Sequence, residues 1–253
     1  MARRNRFPSL GRIGLIGWVW LLVAAGAWAQ PQPPGSAEQA RLVEKTGVVE
    51  ISRDGGNSYR PAAEKQRLEE RDWIRCGRDS TAKIDLGNER IVAVSAETTL
   101  ELAELRKLAR RAGNVTRLDL KEGEVFSAVK ALKKRGDRYE VRTPTATAAV
   151  RGTRFVVRYS DRPPRRRGDF ATTVVVLEGV VAVLDRMGRE VGVLDNEKMM
   201  AIDQLGAGAV ESAPPTEVQN LEESFESFEM AAAETGAAPG VEGGVVEQVG
   251  QVG

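Results

Sequence analysis

Residues 173–184 read TVVVLEGVVAVL, two alternating apolar runs separated by Glu178 and Gly179. Runs of this kind are typical of β-strands, and a glycine at the break supplies the positive φ that a tight turn requires. Three other stretches have the same form, in which an apolar run ending in Leu is followed by a polar break and a second apolar run. They are residues 82–94 (AKIDLGNERIVAV), 117–129 (RLDLKEGEVFSAV) and 190–202 (EVGVLDNEKMMAI). Each of the four stretches is therefore predicted to form a β-hairpin.

The recurrence of this hairpin predicts one all-β domain over residues 42–205. Repeated hairpins cover one another's apolar faces in a rolled sheet or a β-solenoid-like stack. A β-sandwich, which packs the same strands in two layers, is the alternative. Residues 100–112 (LELAELRKLARRA) depart from the pattern, because strong helix formers follow the strand-like alternation of Leu100 and Leu102. We expect a strand to about Leu102 and then a helical or looped excursion.

The first 29 residues have the features of a signal peptide. Four arginines and no acids precede the uncharged residues 13–25 (IGLIGWVWLLVAA), and Ala27 and Ala29 are the small residues that a signal peptidase requires. Cleavage between Ala29 and Gln30 would leave residues 30–41 as a Pro-containing linker and place the protein in the periplasm or outside the cell. An uncleaved inner-membrane anchor is the alternative, because an apolar stretch of about 17 residues is at the short limit of a membrane span.

Residues 206–253 form an acidic tail with nine Glu and no basic residue. Its high content of Gly, Ala and Pro predicts disorder for most of the tail. Residues 216–234 are different, because Thr216 begins a T-E-V-Q capping-box pattern and apolar residues recur at helical spacing after it. These residues are Val218, Leu221, Phe225 and Phe228. We expect a short amphipathic helix that packs on the parent domain or, alternatively, docks on a partner.

The composition argues against an enzyme and against a bound cofactor or metal. Histidine is absent, so the most common general base and metal ligand is missing. Cys76 is the only cysteine, which excludes an intramolecular disulfide and a cluster of thiolate ligands. No nucleophile-elbow or phosphate-loop motif occurs in the chain. We interpret Cys76 as a small buried hydrophobic residue.

Charge is unevenly distributed, since residues 30–205 hold 33 basic and 27 acidic groups, a net charge of +6. Two basic clusters lie in this part, residues 130–135 (KALKKR) and the RPPRRR run from Arg162 to Arg167. We interpret both clusters as solvated loops; contact with an anionic lipid surface or another polyanion is the alternative. Export argues against a nucleic-acid partner.

Residues 141–157 (VRTPTATAAVRGTRFVV) resemble the V-x-T-P-x-A-x-x-x-V-R-G-T-x-F-x-V pattern of the FecR family. Residues 68–94 resemble a second family segment through Asp72, Ile74 and Gly77, and residues 178–183 resemble its closing E-G-x-V-x-V segment. The matching positions of the first segment include Thr143, Pro144, Val150, Arg151, Gly152, Thr153 and Phe155. The resemblance implies an all-β periplasmic domain without a catalytic centre, which acts in signalling or scaffolding by binding another envelope protein.

Within this motif, Pro144 is expected to mark the start or a bend of a strand, because proline removes a ladder hydrogen bond. We expect Gly152 to adopt positive φ or a bulge. Arg151 is the one charge among small and apolar residues, and we expect an internal partner such as Glu178 or backbone carbonyls. Recognition of a carboxylate on a ligand or partner is the alternative role of Arg151.

Overall fold

A computed structural model describes residues 40–108, 113–161, 171–203 and 206–235, all in the unit that spans residues 33–253. This part of the chain holds seventeen strands and one helix, which confirms the prediction of an all-β fold with a short C-terminal helix. The predicted signal peptide, its cleavage site at Ala29 and Gln30, and the run from Arg162 to Arg167 lie outside the described residues. Within the described residues, no helix combines the length and apolar character needed to cross a membrane.

The elements follow one another along the chain as β1 (Ala40–Thr46), β2 (Val49–Ser52), β3 (Arg60–Pro61), β4 (Arg67–Leu68), β5 (Trp73–Cys76), β6 (Thr81–Asp85), β7 (Arg90–Val94), β8 (Thr99–Leu108), β9 (Gly113–Val129), β10 (Arg138–Arg142), β11 (Ala146–Val150), β12 (Thr153–Tyr159), β13 (Thr172–Glu178), β14 (Val181–Asp185), β15 (Glu190–Leu194), β16 (Lys198–Ile202), β17 (Glu211–Ser212) and α1 (Pro215–Thr235).

These strands form two sheets that share the long strand β9. Sheet A has the order β3-β2-β5-β8-β9-β10-β11-β14-β15. Sheet B has the order β4-β1-β6-β7-β9-β12-β13-β16-β17. All pairs are antiparallel except β9 with β10. After β9 the chain adds strands in pairs alternately to sheet A and to sheet B, so the paired strands stack in two layers.

The main core lies between the two sheets and consists of alternate residues from both. Ile74 and Leu118 of sheet A and Leu42 and Phe155 of sheet B all belong to this inner cluster, and each is fully buried. Because side chains on a strand point alternately to opposite faces, about every second residue of the longer strands faces this core. The two sheets therefore pack face to face as in a sandwich. The chain reaches this arrangement by adding pairs of strands to one sheet and then to the other.

Of the four predicted hairpins, only residues 82–94 form one, as strands β6 and β7. Residues 117–129 lie within β9, which pairs with sheet A before Gly123 and with sheet B after it. Gly123 has φ +95°, and a Cβ there would lie 2.6 Å from the Cα of Thr98, so the bend of the strand requires glycine.

The other two predicted hairpins, residues 173–184 and 190–202, are corners at which the chain crosses from one sheet to the other. Strand β13 belongs to sheet B and β14 to sheet A, and the same change separates β15 from β16. The hairpin prediction was wrong here because alternation around a turn is identical in both cases. In a hairpin and in a corner, every second residue faces the shared core.

The predicted excursion after Leu102 was also wrong, since β8 continues as a strand to residue 108. Leu105 is fully buried and pairs with Thr116 of β9. Glu104 is 8% exposed and forms an ion pair of 2.8 Å with Arg117. These contacts with the neighbouring strand outweigh the helix propensity of the segment.

Helix α1 packs on the outer face of sheet B. Its buried Leu221 and Phe225 join Phe126, Val156 and Val175 in a second apolar cluster, here called the outer cluster. The helix begins at Pro215, and the amide of Val218 donates to the carbonyl of Pro214 at 3.0 Å, so Thr216 lies inside the first turn rather than at the cap. The expected packing of the apolar face on the parent domain is thus present.

Candidate functional site

The structure divides the residues of the 141–157 motif between the two ends of strand β11. Thr143 and Pro144 lie in the turn that joins β10 to β11 within sheet A. Arg151 and Gly152 lie at the other end of β11, in the corner that leads to β12 in sheet B. The strand begins at Ala146, two residues after Pro144, as the proline predicted.

The end that carries Thr143 is held by hydroxyl groups. The Oγ1 atom of Thr143 accepts a hydrogen bond of 3.0 Å from the amide of Ala146. The Oγ1 atom of Thr172 lies 2.7 Å from that of Thr143 and 2.5 Å from that of Thr145. Thr145 and Thr172 are buried, so these hydroxyl contacts hold the turn in place.

The corner at the other end depends on a close stack of backbone segments. Gly152 has φ +134°, as expected, and a Cβ there would lie 2.6 Å from the Cα of Ala131. The next corner lies against it, since a Cβ on Gly179 would come within 2.5 Å of the carbonyl oxygen of Gly152. Thr153 Oγ1 donates to the carbonyl of Val180 at 3.0 Å and ties the two corners together. Gly152 and Thr153 therefore hold the two corners against each other.

Val150 and Phe155 belong to the inner cluster on either side of this corner. The ring of Phe155 meets the ring of Tyr139 edge to face, with 6.2 Å between the centroids. The hydroxyl of Tyr139 donates to Ser127 Oγ at 3.0 Å, and burial raises the pKa of Tyr139 above its ordinary value. These aromatic side chains anchor the corner to the core.

The side chain of Arg151 is exposed, although Val150 and Thr153 on either side of the corner are buried. This side chain makes no hydrogen bond or ion pair with any described residue, so the expected internal partner, such as Glu178, is not found in this part of the chain. The reason lies in the alternation of β11, which directs Ala146, Ala148 and Val150 into the core. Arg151 continues the opposite, outward face of the strand.

Arg151 borders an open depression of about 490 Å³ on the outer side of sheet A. Two further arginines, Arg135 and Arg138, line the same depression and are also exposed. The depression is also lined by two acidic residues, Asp137 and Glu140, and by five aromatic or aliphatic residues, Tyr139, Ala149, Val150, Val180 and Ala182. We call this depression and its three arginines the arginine surface.

The two acids of the arginine surface are engaged by other groups. The carboxylate of Asp137 accepts hydrogen bonds from the amides of Asn114 and Lys134, at 2.7 and 2.8 Å. The carboxylate of Glu140 pairs with Arg142 at 3.0 Å. Arg135, Arg138 and Arg151 have no acidic partner among the described residues, so their charge is available to a ligand.

A second open depression, of about 610 Å³, lies on the other side of Gly152. Its charged lining residues include Glu89 and Lys130, which pair with each other at 2.7 Å, and Glu178. Charge on this side is therefore largely compensated, in contrast to the arginine surface.

Sequence reasoning singled out Arg151 and the cluster that contains Arg135, but it missed Arg138 and Val180. The position of Arg138 in the site follows from strand pairing, because Tyr139 pairs with Val150 and this register places Arg138 beside Arg151. Val180 follows the glycine of the next corner and is 52% exposed. Neither position is conspicuous until the two corners are known to be neighbours.

Cys76 and possible metal-ligating clusters are the remaining positions with reactive chemistry. Cys76 is 2% exposed, and burial raises the pKa of its thiol to about 12, which suits a small hydrophobic residue. Among the residues that the structure describes, no group of three or more His, Cys, Asp or Glu side chains is placed to hold a metal ion.

Comparison with known proteins confirms the family resemblance. Residues 72–182 match the model of the family described as FecR protein. Two matching crystal structures, at 2.50 and 1.65 Å resolution, are of a candidate anti-sigma factor from Parabacteroides distasonis. Both are 20% identical to this chain and cover 58% of it, with TM-scores of 0.44 and 0.43. The matches span 62% of those chains, about three fifths of their length. No match was found among the curated proteins.

Proposed function

From the FecR match over residues 72–182, we propose that this chain is an exported, non-catalytic module of the bacterial envelope. It binds another envelope protein through the arginine surface and acts in signalling or scaffolding. The observation that carries the proposal is that Arg151 of the family motif is exposed and that its side chain has no hydrogen-bonding or ionic partner among the described residues. A charged side chain that the fold does not use, beside two others of the same sign, is available for recognition.

Replacing Arg151 by Ala is expected to reduce capture of the partner at least about tenfold, because arginine is frequent among residues that dominate binding energy. The free energy of unfolding should change by less than about 0.5 kcal/mol, as is usual for exposed positions. Cross-linking in the native envelope, followed by purification and quantification of the attached protein, measures the first effect. Denaturant unfolding measures the second.

The matched control is Arg186→Ala. Arg186 is also exposed, but it lies in the turn between β14 and β15, at the end of these strands opposite Val180 and Arg151. This control should retain wild-type capture. Equal capture of the partner by the wild type, Arg151→Ala and Arg186→Ala would contradict the assignment of the arginine surface as the binding site.

Export is a separate prediction and rests on the signal-peptide features of residues 1–29. Mass spectrometry of the protein purified from envelope fractions should find Gln30 at the N-terminus, because cleavage follows the Ala-Trp-Ala sequence. A full-length species in the inner membrane would contradict cleavage and would favour the alternative of a membrane-tethered signalling subunit.

A further inference from the structure

The arginine surface has a net positive charge at a concave, partly apolar site. Lys133 and Lys134 are exposed in the same segment as Arg135, which adds positive charge near the rim. Asp137 and Glu140 are already engaged by backbone amides and by Arg142, respectively. The unmatched positive charge therefore favours a ligand that carries carboxylates or other anionic groups.

The shape of the site distinguishes among anionic ligands. Arginine side chains that frame a depression of about 490 Å³ can surround individual side chains of a ligand. A membrane surface is flat and is met more readily by protruding basic loops. The planar guanidinium group also matches the two oxygens of a carboxylate, which favours Asp and Glu side chains.

An apolar strip continues from the depression toward the edge of sheet A. Val180 is 52% exposed, and Ala182 follows it on the same outer face of β14. Val193 of the neighbouring strand β15 pairs with Ala182 and is 50% exposed. Exposed apolar side chains adjoining a charged site are typical of surfaces that contact a polypeptide.

We propose that the arginine surface and this apolar strip together bind an extended polypeptide segment whose acidic residues are followed by apolar residues. This inference rests on the proposed function and specifies its partner. The carboxylates contact Arg135, Arg138 and Arg151 at β10 and β11, and the apolar side chains that follow cover Val180 and Val193 at β14 and β15. In an extended segment every second side chain faces the same surface, so the contacting residues are separated by one residue that points away.

A fluorescein-labelled twelve-residue peptide with an acidic half of alternating Glu and Gly and an apolar half of alternating Val and Gly tests the proposal by fluorescence polarisation with the mature chain. The peptide should bind at least about tenfold more tightly than its counterpart with Lys in place of Glu. Arg151→Glu should weaken binding of the acidic peptide at least about tenfold, whereas Arg186→Glu should leave it unchanged. Val193→Ser should weaken it several-fold, and raising the salt concentration from 50 to 500 mM should weaken it further.

Equal binding of the two peptides, or the same affinity in Arg151→Glu as in the wild type, would overturn the inference. Tighter binding of heparin or of anionic phospholipid vesicles, with loss of that binding in Arg151→Glu, would also overturn it and assign a polyanion or a membrane instead. If the acidic peptide fails while capture of the envelope partner still depends on Arg151, only this inference is wrong. If both fail, the proposed function is wrong as well.

Discussion

Replacing Gly152 by Ala is expected to lower the free energy of unfolding by about 3–5 kcal/mol, which combines backbone strain with a steric clash. At φ +134° an L-residue is strained, and the added Cβ would lie 2.6 Å from the Cα of Ala131. That neighbour is backbone, so it cannot move aside as a flexible side chain would. The next corner limits movement in another direction, because the carbonyl of Gly152 lies against Gly179.

The matched control is Gly188→Ala, which has positive φ without the close contact. Gly188 has φ +76°, and a Cβ there would meet no atom within 4 Å. This control should cost about 1 kcal/mol, the penalty of the left-handed backbone alone. The difference between the two variants therefore isolates the packing of the corner.

Urea unfolding followed by tryptophan emission measures both variants. Trp73 in sheet A is the only tryptophan after residue 29, so its signal reports on the mature domain. Equal losses in Gly152→Ala and Gly188→Ala would show that the close approach to Ala131 contributes nothing, and the corner would lose its architectural assignment.

The sequence predicted the strands of this protein better than their partners. Alternation in residues 82–94, 173–184 and 190–202 located the strands correctly. It did not distinguish a hairpin from a corner, because the face toward the core has the same period in both. Assignment of strands to sheet A or sheet B depends on contacts between distant segments, and local pattern carries no information about those.

Gly123 and Glu104 illustrate two further limits. Gly123 was interpreted as a turn residue, yet the strand continues through it and only changes sheets. Glu104 belongs to a segment rich in helix formers, but its ion pair with Arg117 of the adjacent strand stabilises an extended backbone. In both cases a long-range contact decides a structure that local propensity leaves open.

For the candidate site, the motif predicted the positive φ of Gly152 but not the exposure of Arg151. A charge between apolar residues was expected to be buried and paired, since most of its neighbours are small. The alternation of β11 places it on the outer face instead, next to Arg138. The arginine surface arises from the pairing of β10 with β11 and from the stacking of two corners, and neither is visible in a single segment.

Replacing Phe225 by Ala is expected to release helix α1 from sheet B. Phe225 is 3% exposed, and its ring meets that of Phe126 edge to face at 5.3 Å. The guanidinium of Arg154 lies 4.9 Å from the same ring. Loss of a buried Phe side chain costs about 3–5 kcal/mol. The helix has little stability of its own to compensate for this loss of packing energy. Acidic residues are frequent along it, and its last turn has no basic residue to balance the helix dipole.

The outer cluster is separate from the core between the sheets, so release of α1 should leave the inner cluster intact. Circular dichroism at 222 nm should therefore lose most of its helical contribution, and proteases should cut near Glu222, while the unfolding midpoint from Trp73 emission changes little.

Phe228→Ala is the matched control. Phe228 also contacts Phe126, at 5.5 Å, but it is only half-buried, so this variant should retain most of the helix. A Phe225→Ala protein that keeps the full helical signal and resists proteolysis would contradict docking through this side chain. A parallel fall in the Trp73 midpoint would instead show that α1 and the sandwich unfold as one cooperative unit.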